Sequence, residues 1–331
     1  MTIESSRPFY DLSPVGSISS LARLLGTNEE HLRRIAARAN SMYRGPILVN
    51  KKGKVRPTYD AKPPLKSIQD AILKRVLNKA FFPTYLMGGI ADPEHRRGYI
   101  RNAQHHAGAK LLFSEDVADF YPSIPSIRIK SIFLHIFRFA PPVAALLTAL
   151  CTKDGRLAQG AKTSTALANL ALYGTEWAVR NRLQQRGLRY SRFVDDVHAS
   201  TTRRLSRSER TCVVADLRSM MIRSGFTPKR SKQSITSAGV RMEVHNLNVN
   251  TAASRGRANR NQLRLELFVL AKRAKSGDFT GDFDKLFGRV GSQIGSLKQT
   301  NPLPAAKLRR EFDAIKKLRR GAALKRGSLN Y

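Results

Sequence analysis

The sequence predicts an α+β fold followed by a separate all-α region, and three observations carry that expectation. Two strand-like runs, at 110–114 and 190–194, each lead into carboxylates. Helical patterns surround them: Leu65, Ile68, Ile72 and Val76 recur at steps of three and four. From about residue 251 strand signals vanish, and three basic helical stretches follow at roughly 256–275, 283–297 and 303–320.

A chain of 331 residues is long enough for two or three subdomains with a real core. Its hydrophobic fraction, 41%, is ordinary, but 59 Lys+Arg against 24 Asp+Glu leave a net charge of +35. A surplus of that size is the electrostatic footprint of a polyanion binder. A membrane is the other large polyanion, yet no run of about 18 apolar residues is present to span one. The opening Met1-Thr-Ile-Glu-Ser-Ser lacks the basic-then-apolar form of a signal peptide. Cys151 and Cys212 show neither CxxC nor His-paired zinc spacing, and read as buried thiols in a reducing cytoplasm. Nucleic acid, in the cytoplasm, is the expected partner, with no membrane.

In chain order, Thr27-Asn-Glu-Glu30 has the form of a capping box and opens a helix to about residue 39. Lys51-Lys-Gly-Lys-Val-Arg-Pro57 is a basic turn running into a short strand, or a solvated loop. Pro63-Pro64 starts the next helix, and residues 87–95 form a loop. The strand at 110–114 ends in Glu115-Asp116-Val-Ala-Asp119, and two helical stretches then run to Cys151. The loop 154–164 contains Gly160, which permits close backbone approach to a ligand. A single long helix is expected from Thr165 to about Gln185. Ser206-Arg-Ser-Glu209 caps a helix to about Arg223, and strands are expected at 227–235 and 242–249.

The centre of this pattern is Arg192-Phe193-Val194-Asp195-Asp196-Val197-His198, a strand, a tight turn and a second strand. Adjacent carboxylates in an apolar hairpin repel each other and are costly to bury. Either they are an ordinary Asp-rich turn, or they meet a counter-charge, Arg192 or a divalent cation. If the strands bearing Asp116 and Asp195 are sheet neighbours, Asp116, Asp195 and Asp196 converge on one edge. Such a cluster can hold two Mg²⁺ roughly 3.5–4 Å apart for in-line phosphoryl transfer, in a polymerase or a nuclease.

These residues resemble bacterial reverse transcriptases of the retron and group II intron lineage. Asp116-Val-Ala-Asp-Phe-Tyr-Pro-Ser-Ile124 is similar to that family's first catalytic block. Leu157-Ala-Gln-Gly-Ala-Lys-Thr-Ser-Thr-Ala-Leu-Ala-Asn-Leu170 is similar to the block that positions template and nucleotide. Phe193-Val-Asp-Asp196 and Gly225-Phe-Thr-Pro-Lys-Arg-Ser-Lys232 resemble the two blocks that follow. Arg56, Leu65-Lys-Ser-Ile-Gln69 and Gly88-Gly89 resemble its fingers region, and Asn102-Ala-Gln-His-His106 its Asn-Ala-x-x-His element. The matches run in family order over about residues 50–250.

The resemblance implies a right-hand polymerase: N-terminal helices and fingers at 1–115, an antiparallel-sheet palm with packed helices at 116–250, and a basic all-α thumb at 251–331. An insertion at about 125–165 lies between fingers and palm. Asp116, Val117, Asp195 and Asp196 are implied as the metal-binding positions, for two Mg²⁺ or Mn²⁺ in their place. Arg56, Lys54, Phe120, Tyr121, Gln159, Gly160 and Lys232 are implied around the nucleotide, with Tyr121 under the sugar. Asn102, His106, His245 and Asn246 are implied as RNA contacts, the first two being alternatively turn and core residues. The implied function is RNA-directed DNA synthesis on a structured noncoding RNA from deoxynucleoside triphosphates, in antiphage defence with a separate effector protein. The chain departs from the family at Ala158, at Lys162-Thr-Ser-Thr165, where the pattern has Pro-Thr-Ser-Pro, and at Val244-His-Asn246, where it has Val-Thr-Gly. Those departures leave room for a defence-associated or abortive-infection reverse transcriptase with non-standard priming or templating. A non-catalytic RNA-binding scaffold is a separate rival, and the intact Asp116, Asp195 and Asp196 argue against it.

Overall fold

Local capping and periodicity set the first elements of the computed structural model, which describes residues 7–51 and 54–327. Ser17 accepts a hydrogen bond from the Ser20 amide to start α1 (Ile18–Leu25), and Gly26 ends that helix at φ 74°. The Thr27 amide then bonds back to the Ala22 carbonyl at 2.9 Å, so Thr27 closes α1 instead of opening the next helix. The cap of α2 (Glu29–Ala37) is therefore Asn28, one residue later than the sequence pattern indicates. β1 (Ile47–Lys51) and β2 (Lys54–Thr58) form an antiparallel hairpin. In α3 (Leu65–Arg75), Leu65, Ile68 and Ile72 are buried as their spacing demands.

α4 (Tyr99–His105) precedes β3 (Leu111–Asp116), and α5 (Phe120–Ser123) is a single turn. α6 (Ser126–His135) and α7 (Pro141–Cys151) follow, then a hairpin of β4 (Thr152–Lys153) and β5 (Arg156–Leu157). The long helix expected from Thr165 is two helices, α8 (Ser164–Leu170) and α9 (Glu176–Gln185). Between them the amides of Tyr173 and Thr175 reach back only three residues, around Gly174, a weak helix former. β6 (Arg189–Phe193), β7 (Asp196–Thr201) and α10 (Arg207–Arg223) come next. The Ser206/Glu209 capping box of α10 is complete, with both reciprocal bonds made. Cys151 is buried, whereas Cys212 on α10 is exposed, contrary to expectation.

The expected strand at 227–235 is reduced to β8 (Ser234–Ser237). Residues before it are drawn to the end of β3 instead: the Ala118 amide bonds Thr227, and the Lys229 amide bonds Asp116 at 2.7 Å. The central sheet has the order β6-β7-β3-β8. Its register sets Asp116 directly opposite Asp196, and Arg192 opposite Val197.

The chain divides into two units, one containing the stretch up to Asn102 with Lys110–Thr236, the other Ala103–Ala109 and everything from Ser237 onward. The central sheet belongs to the first. In the second, the expected strand at 242–249 is a hairpin of β9 (Glu243–Val244) and β10 (Leu247–Asn248), paired further with β11 (Ser254–Arg255). His245 and Asn246 make its turn at φ 52° and 61°, as a two-residue hairpin of this twist requires. α11 (Arg257–Lys275), α12 (Phe283–Thr300) and α13 (Pro302–Gly327) pack around their own apolar core, including Leu263, Leu267, Leu270, Phe283 and Phe312. Basic charge lies outside that core because the apolar stripe on each helix is narrow.

Candidate active site

Side-chain alternation along the sheet decides which charges can meet. Asp116 and Asp196 are direct cross-strand partners and share one face. Arg192 pairs across the ladder with Val197, one step out of phase, and so lies on the other face. There it is fully buried and grips Glu176 of α9 through two bonds, Nε to Oε1 at 2.6 Å and a terminal nitrogen to Oε2 at 2.8 Å. It also donates to the Asn169 carbonyl at 2.7 Å and the Val194 carbonyl at 2.8 Å. Tyr190 adds a hydroxyl to the same Glu176 oxygen at 2.7 Å. Arg192 is thus the anchor of the Asp195-Asp196 hairpin and not its counter-charge. Neither Glu176 nor this role for Arg192 was legible from motifs; a buried charge pair leaves no local pattern.

The hairpin itself is held under tension by its turn. Val194 adopts φ 60°, unusual for a β-branched residue, and the Arg192 bond to its carbonyl holds it there. Gly88 backs the turn, since a Cβ at that position would lie 2.9 Å from the Phe193 ring. Asn169 of α8 donates to the Gly88 carbonyl at 2.7 Å, tying the loop to the helix.

On the other face the cations are lysines. The Lys232 ammonium bonds Asp116 Oδ2 and stands 3.5 Å from Asp196 Oδ1, while Lys229 lies 3.8 Å from Asp116 Oδ1. Burial, and then the Asp195 charge, push the Asp196 carboxyl up to about 7 against the pull of Lys232. Burial and the Asp116 charge raise Asp195, with Lys232 and Arg56 acting the other way. Burial works to lower Lys232, but its bond to Asp116 and the charges of Asp196, Asp116 and Asp195 outweigh it.

Among the described residues no set of three or more His, Cys, Asp and Glu side chains is gathered closely enough to hold a metal ion as it stands. The donor chemistry nevertheless fits a hard divalent cation. Asp116, Asp195 and Asp196 offer carboxylate oxygens, their mutual repulsion is under-compensated, and one ammonium already sits between two of them. The amide of Val117 donates to the Asp195 carbonyl at 3.2 Å, which locks the Asp116 strand end to the hairpin.

The nucleotide-pocket positions fall into two groups. Gln159 accepts a bond at its carbonyl from the Tyr59 amide at 2.8 Å, docking that loop on the end of β2, the strand that carries the exposed Arg56. Gly160 is required there: it holds φ 100°, and a Cβ would lie 2.7 Å from the Tyr59 oxygen. Tyr121 is half-buried beside α8, its hydroxyl 3.1 Å from Thr165 Oγ1. The Phe120 ring is buried and packs edge-on against Phe226 at 5.3 Å. The Lys54 side chain lies outside the described residues.

The implied RNA contacts differ in exposure. Asn102 is fully buried and accepts a hydrogen bond from Ser191 of β6 at 2.5 Å, bracing the strand beneath the hairpin. His106 is also fully buried, edge-on to His105 at 5.0 Å. In this structure both fill the core, the alternative raised by the sequence. His245 is half-buried, and burial lowers it to about 4, so it is neutral at pH 7; Asn246 beside it is exposed.

Comparison with known proteins follows the same line as the site. Retron Se72 reverse transcriptase of Salmonella heidelberg is 29% identical over 309 residues, covering 92% of this chain and 80% of that protein. The chain is thus similar to a retron reverse transcriptase over most of its length. Retron Ec48 reverse transcriptase of Escherichia coli is 29% identical over 61% of this chain and 52% of its own length. Retron Ec86 reverse transcriptase, also of Escherichia coli, is 28% identical over 57% of this chain and 58% of its own. The chain therefore spans little more than half the length of those two relatives. No family model matches it. These similarities support a nucleotidyltransferase of the RNA-directed DNA polymerase class. Among the described residues no helix is long and apolar enough to cross a membrane.

Proposed function

We propose that this retron-type enzyme copies a bound structured noncoding RNA into DNA, with Asp116, Asp195 and Asp196 as the metal ligands of a two-Mg²⁺ polymerase centre. The observation that carries this reading is the under-compensated pairing of Asp116 with Asp196 across β3 and β7 beside Asp195. Two bound Mg²⁺ would activate a primer hydroxyl and neutralise charge developing on the transferred phosphate. The Val117 carbonyl would complete the ligand set. Lys232 would release Asp116 as metal arrives and remain beside the pyrophosphate leaving group, with Lys229 behind it. Arg56, with Lys54, would grip the triphosphate, Tyr121 would lie under the sugar, and Gln159 and Gly160 would line the nascent pair. Residues 1–115 would then supply the fingers, 116–250 the palm and the helices from about 251 the thumb, with His245 and Asn246 to meet RNA. A role in antiphage defence with a separate effector protein follows from the same reading.

The test is to purify the protein with its nucleic acid, sequence what is bound, and supply labelled deoxynucleotides with Mg²⁺. A discrete DNA joined to one co-purifying RNA supports the proposal. Repetitive, untemplated or protein-linked DNA moves the assignment to a defence enzyme with non-standard priming. Bound RNA with no metal-dependent DNA under any condition leaves only the scaffold.

Two further outcomes are expected here. Gly160→Ala strains a φ of 100° and drives a Cβ into the Tyr59 backbone, so the β2 hairpin with Arg56 shifts. The KM for deoxynucleotides should rise about tenfold, the equivalent of about 1.4 kcal/mol, in steady-state incorporation assays. Given a net charge of +35, RNA affinity should also fall steeply with salt. With six to ten phosphate contacts, filter binding should show a loss of about 10³–10⁵ between 50 and 200 mM salt.

A further inference from the structure

The Tyr121 phenol is not positioned by packing alone. Its hydroxyl meets Thr165 Oγ1 at 3.1 Å, on the first turn of α8. Thr165 is fixed in turn by its methyl group, which faces Gly89: a Cβ added to Gly89 would lie 2.2 Å from Thr165 Cγ2. Gly89 holds φ 67°, a conformation suited to glycine, so this close approach is built into the loop. Behind the same loop, Gly88 abuts Phe193 and Val194 of the aspartate hairpin. A proline at 165, as the family pattern has it, would carry no hydroxyl and make no such bond.

Accepting the polymerase reading above, we infer that Thr165 is a positioning residue for sugar discrimination: its hydroxyl orients the Tyr121 ring edge that excludes a 2′-hydroxyl. It touches neither sugar nor metal, and acts through one hydrogen bond to Tyr121. Phe120, adjacent in sequence, cannot take this part because its ring packs on Phe226. The consequence is a specificity set by a pair, Tyr121 with Thr165, rather than by ring size alone. Removing the hydroxyl at either end frees the ring to the same degree. The two changes are therefore non-additive, as expected for residues in direct contact.

The experiment measures kcat/KM for a deoxynucleotide and the matching ribonucleotide, with full-length protein on an RNA template and primer. The proteins compared are wild type, T165V, T165S, Y121F and the double variant T165V/Y121F. T165V keeps shape and removes the hydroxyl, and should lower the deoxy-to-ribo ratio roughly three- to tenfold, the size of one neutral hydrogen bond. T165S should keep the ratio within about twofold of wild type, since its hydroxyl can bond as Thr165 does. Adding T165V to Y121F should change the ratio no further. Equal loss of both nucleotides in T165V, or a T165V effect undiminished in the Y121F background, overturns the inference while leaving the polymerase reading intact. No incorporation by wild type overturns the polymerase reading and this inference with it.

Discussion

Replacing Asp195 and Asp196 together by alanine is expected to reduce DNA synthesis by about 10³-fold or more while leaving the protein folded. The loss follows from chemistry, since both carboxylates belong to the proposed ligand set. Retention of the fold follows from electrostatics. Asp195 and Asp196 are both raised by burial and by neighbouring carboxylates, so at neutral pH their charges oppose folding rather than support it. In EDTA the double variant should melt no lower than wild type. Added Mg²⁺ should raise the melting temperature of wild type by mass action and leave the variant unmoved. A large drop in stability in EDTA would show that the pair is structural, and a Mg²⁺ response surviving in the variant would remove these residues from the metal site.

The second large effect is expected on the opposite face of the same hairpin. Arg192→Met strands the buried Glu176 carboxylate and also removes donors from the Asn169 and Val194 carbonyls. Breaking a buried pair by removing one partner costs about 3–5 kcal/mol. In a unit of this size that corresponds to a fall of roughly 10 °C in melting temperature. Arg192→Lys should recover little, because an ammonium cannot reproduce the planar fork that serves a carboxylate and two carbonyls together. The paired change R192M/E176L should regain much of the stability, since no charge is then left unpaired. It should not regain synthesis, because nothing then holds Val194 at its left-handed φ and Asp195 loses its place. Calorimetry beside a primer-extension assay separates the two effects. Full recovery of synthesis in the double variant would show that Arg192 serves stability alone.

Why these two faces differ could not be read from the motif. Arg192 is three residues from Asp195 and, in sequence, is an obvious neutralising partner. Only the ladder register, Phe193 opposite Asp196 and Arg192 opposite Val197, assigns Arg192 and Asp196 to opposite sides of the sheet. A related limit explains the misread elements. Residues 165–185 carry helical composition throughout, but Gly174 and the requirement to aim Glu176 at Arg192 break the run. Residues 227–232 look like a strand, yet backbone bonds to the end of β3 hold them across it and bring Lys229 and Lys232 to Asp116.

What the sequence determined by itself was short-range or chemical: the α+β class, the amphipathic face of α3, the Ser206/Glu209 cap, the three C-terminal helices, the basic surplus, and the ordered carboxylate blocks. Periodicity, capping and charge act within a few residues or add over the whole chain, so they are visible without coordinates. Tertiary structure alone decided the rest: which cation faces Asp116 and Asp196, which residue holds the hairpin, that Phe120, Asn102 and His106 turn inward, and that Thr165 meets Tyr121. Each is a contact between residues distant in sequence or on alternate faces of a strand. A one-residue change of phase reverses such a contact while leaving composition and local pattern the same.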